Sequence, residues 1–206
     1  MTGEDHLQHL LGRRSVRDFK PEPIPAIVLE RLIAAATTAP SPTNRQPWRF
    51  AVVQDPSKRA LLATAVQERA EEMKAIIRRG HHAGDFGNYS DFFHEPLERA
   101  AAIIIPQYRV YPDLIANLIG SGGGNPDEFN TAVAMQAELC ATSAAAMALL
   151  LQAHAEGLAG CWMSGPMIAR DRITAALEIN APWKMIGERM SMKKPLRRAE
   201  MWLDSL

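Results

Sequence analysis

The sequence of 206 residues has little cysteine and no net charge, and each shortage excludes a class of protein. Its 2 cysteines, Cys140 and Cys161, stand in apolar surroundings, so no disulfide framework is indicated and a reducing cytoplasm is expected. Lys and Arg total 23 and Asp and Glu total 23, which gives no broad field for nucleic acid or a membrane surface. An anionic ligand must therefore be held by a local group of basic residues.

Long hydrophobic runs are also missing. No stretch reaches the roughly 18 apolar residues of a membrane span. Residues 1–11 include Glu4 and Asp5, and they lack the basic start and apolar run of a signal peptide. The length and the 47% of hydrophobic residues suit one globular domain over residues 1–206. We therefore expect neither a membrane nor a nucleic acid as a partner.

Hydrophobic patterning predicts long helices with few strands between them. The predicted helices cover 4–11, 24–39, 56–79, 128–156 and 166–179. The predicted strands cover 48–53, 100–106, 158–163 and 184–190, and residues 80–97 and 107–126 are predicted to be irregular. Because strands and helices do not alternate regularly, the pattern favours an α+β fold over a doubly wound α/β fold.

The predicted helix over 128–156 is mostly uncharged and carries 10 alanines between Ala132 and Ala155. A helix that is apolar on nearly all sides has to be buried, and small side chains allow a neighbouring helix to approach closely. The length of this helix, about 1.5 Å per residue, is large for one small domain to surround. Two interpretations remain: a helix of a partner subunit packs against it, or it is the central helix of a monomer.

The segment Arg13–Arg17 places three arginines and a serine directly after the first helix. Guanidinium groups match phosphate oxygens and also donate to carbonyl oxygens of a planar ring. The alternative is a solvated helix end, because basic residues are favourable at helix C-termini.

The segment Ala39–Trp48 holds short polar side chains between three prolines, among them Ser41, Asn44 and Gln46. Such a stretch is stiff and offers aimed donors and acceptors at the start of a strand. An ordinary turn would use the same residue types. Gln46 and Trp48 are not required by a turn, and they favour a binding site here.

Two further segments, Gly157–Pro166 and Ser191–Leu196, are candidates for a ligand site. Met163, Ser164 and Gly165 follow a predicted strand, where backbone N–H groups are free and glycine permits close approach of a ligand. Lys193 and Lys194 follow the last predicted strand and could close on a phosphate. An ordinary strand end and a solvated tail are the alternatives.

Residues 80–126 are predicted to form a substrate lid. Their aromatic and histidine side chains suit a flat apolar substrate, and loop packing would explain them equally well: His81, His82, Phe86, Tyr89, Phe92, Phe93, His94, Tyr108 and Tyr111. No fourth ligand at a suitable spacing accompanies the histidines, so a metal site is not indicated. The glycine run 120–124 lacks the spacing of a dinucleotide-binding motif and is interpreted as a hinge.

The four candidate segments resemble the nitroreductase (FMN-dependent) superfamily in their order and spacing. They are 13–17, 39–48, 157–166 and 191–196. The resemblance covers most of the chain and includes the helix over 24–39 and the alanine-rich helix. It implies an α+β fold with a mostly antiparallel sheet flanked by helices, in a homodimer whose subunits exchange terminal segments. It also implies FMN at the subunit interface, touched by both chains.

The resemblance assigns one group of residues to the FMN phosphate, ribityl chain and ring edge: Arg13, Ser15 and Arg17. Arg14 is similar to a position that reaches the flavin through its side chain or backbone. Lys193 matches a basic residue, usually arginine, that binds the phosphate.

A second group is implied to contact the flavin ring. Ser41, Pro42 and Asn44 would come from the other subunit, and Gln46 would support their loop. Ser164 and Gly165, following Met163, match the place where a backbone N–H meets the flavin N5 region. No side chain is required as a catalytic acid or base.

The activity that the resemblance implies is ping-pong oxidoreduction. NADH or NADPH would reduce FMN and dissociate. An electron-poor nitroaromatic or quinone would then bind where the nicotinamide had been. Other possibilities are a different FMN enzyme on this fold, namely a reductive dehalogenase, a flavin-fragmenting enzyme or a peptide-tailoring dehydrogenase. A flavin-binding protein without turnover is the remaining alternative.

Overall fold

The computed structural model describes residues 2–20, 22–80, 90–129 and 136–186. Within these ranges the α-helices are α1 (Gly3–Gly12), α2 (Ala26–Ala36), α3 (Pro56–Ile77), α4 (Glu95–Arg99), α5 (Leu114–Ser121), α6 (Ala137–Ala155) and α7 (Arg170–Ala176). The strands are β1 (Trp48–Val53), β2 (Ile103–Arg109) and β3 (Trp183–Met185). Single 3-10 turns cover Pro42–Asn44, Asp91–Phe93, Pro126–Glu128 and Gly165–Ala169.

The three strands form one antiparallel sheet in the order β1-β2-β3. Trp48 pairs with Tyr108 and Val53 pairs with Ile103, so β1 is matched along its full length by β2. The short β3 lies on the other side of β2, where Met185 pairs with Gln107. Helices and a small antiparallel sheet confirm the predicted α+β class.

Helices cover both faces of the sheet. On one face α2 and α6 pack together and enclose a core that includes Leu32, Trp48 and Ala145. On the opposite face α3, α4 and α7 enclose a second core that includes Val66, Ile173 and Met185. Successive residues of β2 supply the two cores in turn, because side chains of a strand alternate between its faces.

Several element boundaries agree with the predictions because their sequence signals are local. Strand β1 has the predicted bounds, and α1 begins with a capping box in which Thr2 and Asp5 bond to each other's backbone N–H. Helix α3 begins at Pro56, with the Asp55 side chain accepting from the N–H of Lys58. Such signals depend on a few neighbouring residues and on no tertiary contact.

Helix α6 is shorter than predicted at its N-terminal end. It begins at Ala137 and not at 128, since Gln136 adopts a left-handed conformation with φ of 52°. Its C-terminal end agrees with the prediction, and Gly157 follows it with φ of 73°. One side of α6 is buried against α2 and the sheet, whereas Cys140 and Met147 are exposed on another side. The described part of this chain therefore covers only part of the helix.

The predicted strand over 158–163 is wrong. Only Gly160 forms a bridge, a parallel one to Ser15, because no strand among the described residues lies beside the rest of this segment. The predicted helix over 166–179 is in fact the turn Gly165–Ala169 followed by α7. The last predicted strand begins at Trp183, and its part beyond residue 186 lies outside the described residues.

The two segments predicted to be irregular contain regular structure. Residues 95–99 form α4, and residues 114–121 form α5 with the Asp113 side chain accepting from Ala116 N. Strand β2 begins three residues later than predicted because Ala100 still caps α4, and it continues through Pro106, whose carbonyl accepts from Ile186 N. No described helix is long and apolar enough to cross a bilayer.

Candidate functional site

The segment 13–17 leaves α1 as extended backbone and lies against residues 157–160. Arg13 follows the helix with φ of −63° and ψ of 132°, and Val16 donates its N–H to the carbonyl of Gly160 at 3.2 Å. The segment that follows α6 is thus hydrogen-bonded to the segment that follows α1. The fold brings the first and third candidate segments of the sequence side by side.

The three arginines of this segment behave differently. Arg14 folds back and donates from Nη1 to the carbonyl oxygens of Leu11 at 2.5 Å and Arg13 at 2.9 Å, as expected of a cation at a helix C-terminus. The side chains of Arg13 and Arg17 make no hydrogen bond or ion pair with any residue that the structure describes. Arg14 therefore fits the helix-end interpretation, while Arg13 and Arg17 remain available to an anion.

A cleft of about 310 Å³ opens beside this segment. It lies between the end of α1, the last turns of α6 and residues 157–160, with Arg13, Leu150 and His154 on its walls. The ring of His154 stacks on that of His9 with centroids 4.7 Å apart, and His9 Nε2 lies 3.0 Å from the Leu151 carbonyl. The stacked pair fixes α1 against the C-terminal half of α6.

The loop 41–46 has an unusual backbone. Thr43, Asn44 and Gln46 have φ of 50°, 53° and 47°, a region that non-glycine residues rarely adopt and that costs about 1–3 kcal/mol each. Hydrogen bonds inside the loop hold this shape: Ser41 Oγ accepts from Gln46 N at 2.9 Å, and the Ser41 carbonyl accepts from Asn44 N at 3.0 Å. The side chains of Asn44 and Gln46 stay exposed and lie 3.4 Å apart.

A second support for this loop comes from the end of β2. The Tyr111 hydroxyl donates to the Arg45 carbonyl at 3.3 Å, and the Arg45 guanidinium lies 5.2 Å from the Tyr111 ring centre. The guanidinium of Arg109 approaches the same ring at 4.4 Å. Sequence analysis assigned Tyr111 to a substrate lid and gave no role to Arg45 or Arg109. Their proximity depends on strand register, which no local pattern reveals.

Loop 41–46 and segment 13–17 lie at opposite ends of α6. The Tyr111 N–H is 3.5 Å from Oε1 of Glu138 in the first turn of α6, whereas the cleft beside Arg13 is lined by Leu150 and His154. With about 1.5 Å of rise per residue, these two parts of α6 are separated by roughly 18 to 24 Å. A single chain therefore does not bring the two candidate segments together.

The last part of the third segment, Met163–Gly165, leads into the turn that precedes α7. Ser164 is exposed and its carbonyl accepts from Met167 N at 3.0 Å. Gly165 is packed against Phe93, and any side chain at 165 would collide with that ring. The structure thus gives a packing reason for this glycine where sequence analysis assigned it to a ligand.

The remaining sequence candidates fall in three groups. Lys193 and residues 81–89 lie outside the described residues. The segment 80–126 includes β2, the central strand of the sheet, and its role as a substrate lid stays a prediction. Within the described ranges, no three His, Cys, Asp or Glu side chains are close enough together to hold a metal ion.

Two sequence relatives indicate the class of protein to which the chain is similar. An iodotyrosine deiodinase of Haliscomenobacter hydrossis is 30% identical over 111 residues, which are 54% of this chain and 50% of that protein. An NADH dehydrogenase of Thermus thermophilus is 44% identical over 69 residues, which are 32% of this chain and 34% of that protein. The chain thus matches half or less of the length of these relatives.

Among solved structures, a BluB-like flavoprotein of Clostridium difficile aligns with a TM-score of 0.75 at 19% identity and 94% coverage of both chains. An iodotyrosine deiodinase bound to FMN and 3-iodo-L-tyrosine aligns with a TM-score of 0.63 at 18% identity, over 87% of this chain and 84% of that one. The sequence pattern described as "Nitroreductase family" matches residues 10–188. The chain belongs to the nitroreductase family.

Proposed function

We propose that this protein is an FMN-dependent oxidoreductase that works as a homodimer, takes electrons from NADH or NADPH and reduces electron-poor small molecules. The observation that carries the proposal is the position of loop 41–46 and segment 13–17 at opposite ends of α6. In a symmetric dimer the loop of one chain can meet the arginine segment of its partner. The one interface of such a dimer then contains two equivalent sites, each completed by both chains.

The described residues fit an FMN at such a site. Arg13 and Arg17 offer cationic side chains without a partner in the described part of the chain, which suits a phosphate and the ring carbonyls. Arg14 and Ser15 would contribute through the backbone beside Gly160. Asn44 and Gln46 would contribute amide groups from the other chain, with Ser41 and Pro42 shaping their loop.

The exposed part of α6 supports a dimer. Cys140 and Met147, which is 39% exposed, lie seven positions apart and therefore share one side of the helix. On α1, Leu7, Leu10 and Leu11 are also exposed. Contact between these surfaces of two chains would bury apolar area that one chain leaves in water.

FMN supplies the hydride chemistry when bound, and the protein supplies binding, orientation and charge. Arg17 near the ring edge would stabilise negative charge that develops on the reduced ring. The backbone N–H groups of 164–165 would orient the ring, and Lys193 would add a charge at the phosphate. No side chain of the protein is required to transfer a proton.

A second candidate is reductive dehalogenation on the same flavin. It is favoured by the similarity to iodotyrosine deiodinases, which covers about half of this chain. The two activities share the cofactor and differ only in the acceptor. A panel with menadione, nitrofurazone and 3-iodotyrosine therefore separates them.

The decisive experiment is the visible spectrum of the purified protein, followed by anaerobic addition of NADH or NADPH. We expect a flavin spectrum that bleaches with one of the two nucleotides and recovers when an acceptor is added. A protein that stays colourless after incubation with FMN would overturn the proposal. A flavin that is bound but never turned over with any donor and acceptor would leave a binding protein and refute the enzymatic part.

A further inference from the structure

The brace at Tyr111 joins two parts of the chain that have different roles. Tyr111 lies between the end of β2 and the start of α5. Its hydroxyl donates a hydrogen bond to the Arg45 carbonyl, and the guanidinium groups of Arg45 and Arg109 lie over its ring. Its backbone N–H faces the carboxylate of the buried Glu138. One residue thus contacts loop 41–46, strand β2 and the first turn of α6.

The loop needs such a brace. Three of its residues have a positive φ, and a backbone of this kind persists only where surrounding contacts over-determine it. The hydrogen bonds inside the loop close it on itself and do not orient it relative to the sheet. Three contacts do orient it. Tyr111 contacts Arg45, and Arg45 Nη1 donates to the Pro112 carbonyl at 3.4 Å. Arg109 N donates to the carbonyl of Pro47, directly after the loop, at 3.0 Å.

We propose that Tyr111, acting through Arg45, is a positioning residue that holds loop 41–46 in the conformation that binds flavin. This inference rests on the proposed function for its ligand, since loop 41–46 is the part offered to the partner's flavin. It predicts that a movement of 110–121, the segment of Tyr111 and α5, changes flavin affinity without any direct contact with the flavin. Tyr111 stands just before α5 in the chain, so a shift of α5 would reach the loop through the contacts of Tyr111 with Arg45.

The chain contains a matched control. Arg49 also stacks on an aromatic ring, that of Trp183, at 4.6 Å, and it also hydrogen-bonds to Gln107 on β2. It lies on β1, outside loop 41–46. Arg45→Ala and Arg49→Ala therefore each remove one guanidinium from one ring near the same strand.

The test compares Tyr111→Leu, Tyr111→Phe, Arg45→Ala and Arg49→Ala by two measurements. The first is hydrogen exchange of the flavin-free protein over residues 41–48, where the N–H groups of Asn44, Arg45 and Gln46 are all bonded within the loop. The second is the Kd for FMN. We expect Tyr111→Leu to speed exchange and to raise the Kd by roughly tenfold, because a stacked contact and a hydrogen bond are lost together.

We expect Tyr111→Phe to have a smaller effect of the same sign because it keeps the ring, and Arg45→Ala to resemble Tyr111→Leu. Arg49→Ala should leave both measurements unchanged. Unchanged exchange in Tyr111→Leu and Arg45→Ala, or an equal effect of Arg49→Ala, would overturn the inference. If Tyr111→Leu does not fold, Tyr111→Phe and Arg45→Ala decide. Absence of FMN binding in the unmodified protein would refute the proposed function instead, and the exchange measurement would still decide whether Tyr111 holds the loop.

Discussion

Phe93 lies so close to Gly165 that a β-carbon at position 165 would collide with its Cδ1 atom. Two further ring atoms would lie within 2.7 Å. The contact joins the turn before α4 to the turn before α7, on the face of the sheet where α3 packs. Gly165 is therefore required by the packing of one aromatic ring.

We predict that Gly165→Ala destabilises the protein by about 1–3 kcal/mol, the usual cost of overpacking a closely filled site. Urea unfolding measures the change. Gly3→Ala is the control, because a β-carbon there meets no atom within 4 Å. In a Phe93→Ala background the cost of Gly165→Ala should largely disappear, since the ring it displaces is gone. An equal cost in both backgrounds would show that Phe93 is not the cause.

A second prediction concerns pH. Glu156 at the end of α6 accepts two hydrogen bonds of 2.6 Å from Arg31 on α2 and one of 2.9 Å from Gln152, which lower its pKa to about 2. Because the folded pKa lies below the ordinary 4.5, this pair contributes stability above pH 4.5, and the contribution is lost as pH falls from 4.5 towards 2.

Glu156→Gln should therefore lower the midpoint of urea unfolding at pH 7, and its difference from the unmodified protein should shrink as pH falls below 4.5. Glu30→Gln serves as the control because Glu30 is an exposed carboxylate on the same helix as Arg31. A difference that stays constant down to pH 3 would contradict the assignment, since it would not follow the titration of the carboxylate.

A third prediction tests the phosphate assignment. Arg13→Ala with Arg17→Ala should abolish FMN binding while the dimer survives, because hydrogen bonds to a charged group are worth about 1.5–3 kcal/mol each. Size-exclusion chromatography and the flavin spectrum measure the two properties. Lys58→Ala with Arg78→Ala removes the same charge from exposed positions of α3 and its C-cap and should keep FMN. FMN retained by the first double variant would refute the assignment.

A fourth prediction concerns the strain in loop 41–46. Thr43 has φ of 50°, and its exposed, β-branched side chain makes only a hydrogen bond to the neighbouring Pro42 carbonyl among described contacts. Thr43→Gly should raise stability by about 0.5 kcal/mol, because glycine adopts this conformation freely and part of the gain is offset by its entropy. Thr43→Ala keeps the strain and should not stabilise. Thermal unfolding distinguishes the two, and an equal gain from alanine would contradict the explanation.

Local sequence signals were sufficient for several elements. The run Trp48–Val53 is rich in aromatic and β-branched residues, and it forms β1 with the predicted bounds. The predicted start of the third helix at residue 56 agrees with α3, and the predicted end at residue 156 agrees with α6, which Gly157 follows. The family resemblance and the α+β class, both carried by motifs and element order, were confirmed.

Other predictions depended on partners that a single segment does not reveal. Residues 158–163 have a strand-like composition, yet only Gly160 pairs with another described residue, because a strand exists only where a neighbour supplies hydrogen bonds. The second predicted strand ended at residue 106, but β2 continues to Arg109 because β1 and β3 pair with it on both sides. Gly165 packs against Phe93, a contact that no local pattern reveals, while its assignment to a ligand stays a prediction.

The amino-acid sequence by itself determined the chemistry available: three arginines after α1, a stiff polar loop before β1 and an alanine-rich helix. Only the tertiary structure decided where these lie, with segment 13–17 at one end of α6 and loop 41–46 at the other. The reason is that residue types depend on composition and local order, whereas distances between segments depend on strand register and helix packing. Those contacts, such as that of Tyr111 with Arg45, form between residues far apart in the chain.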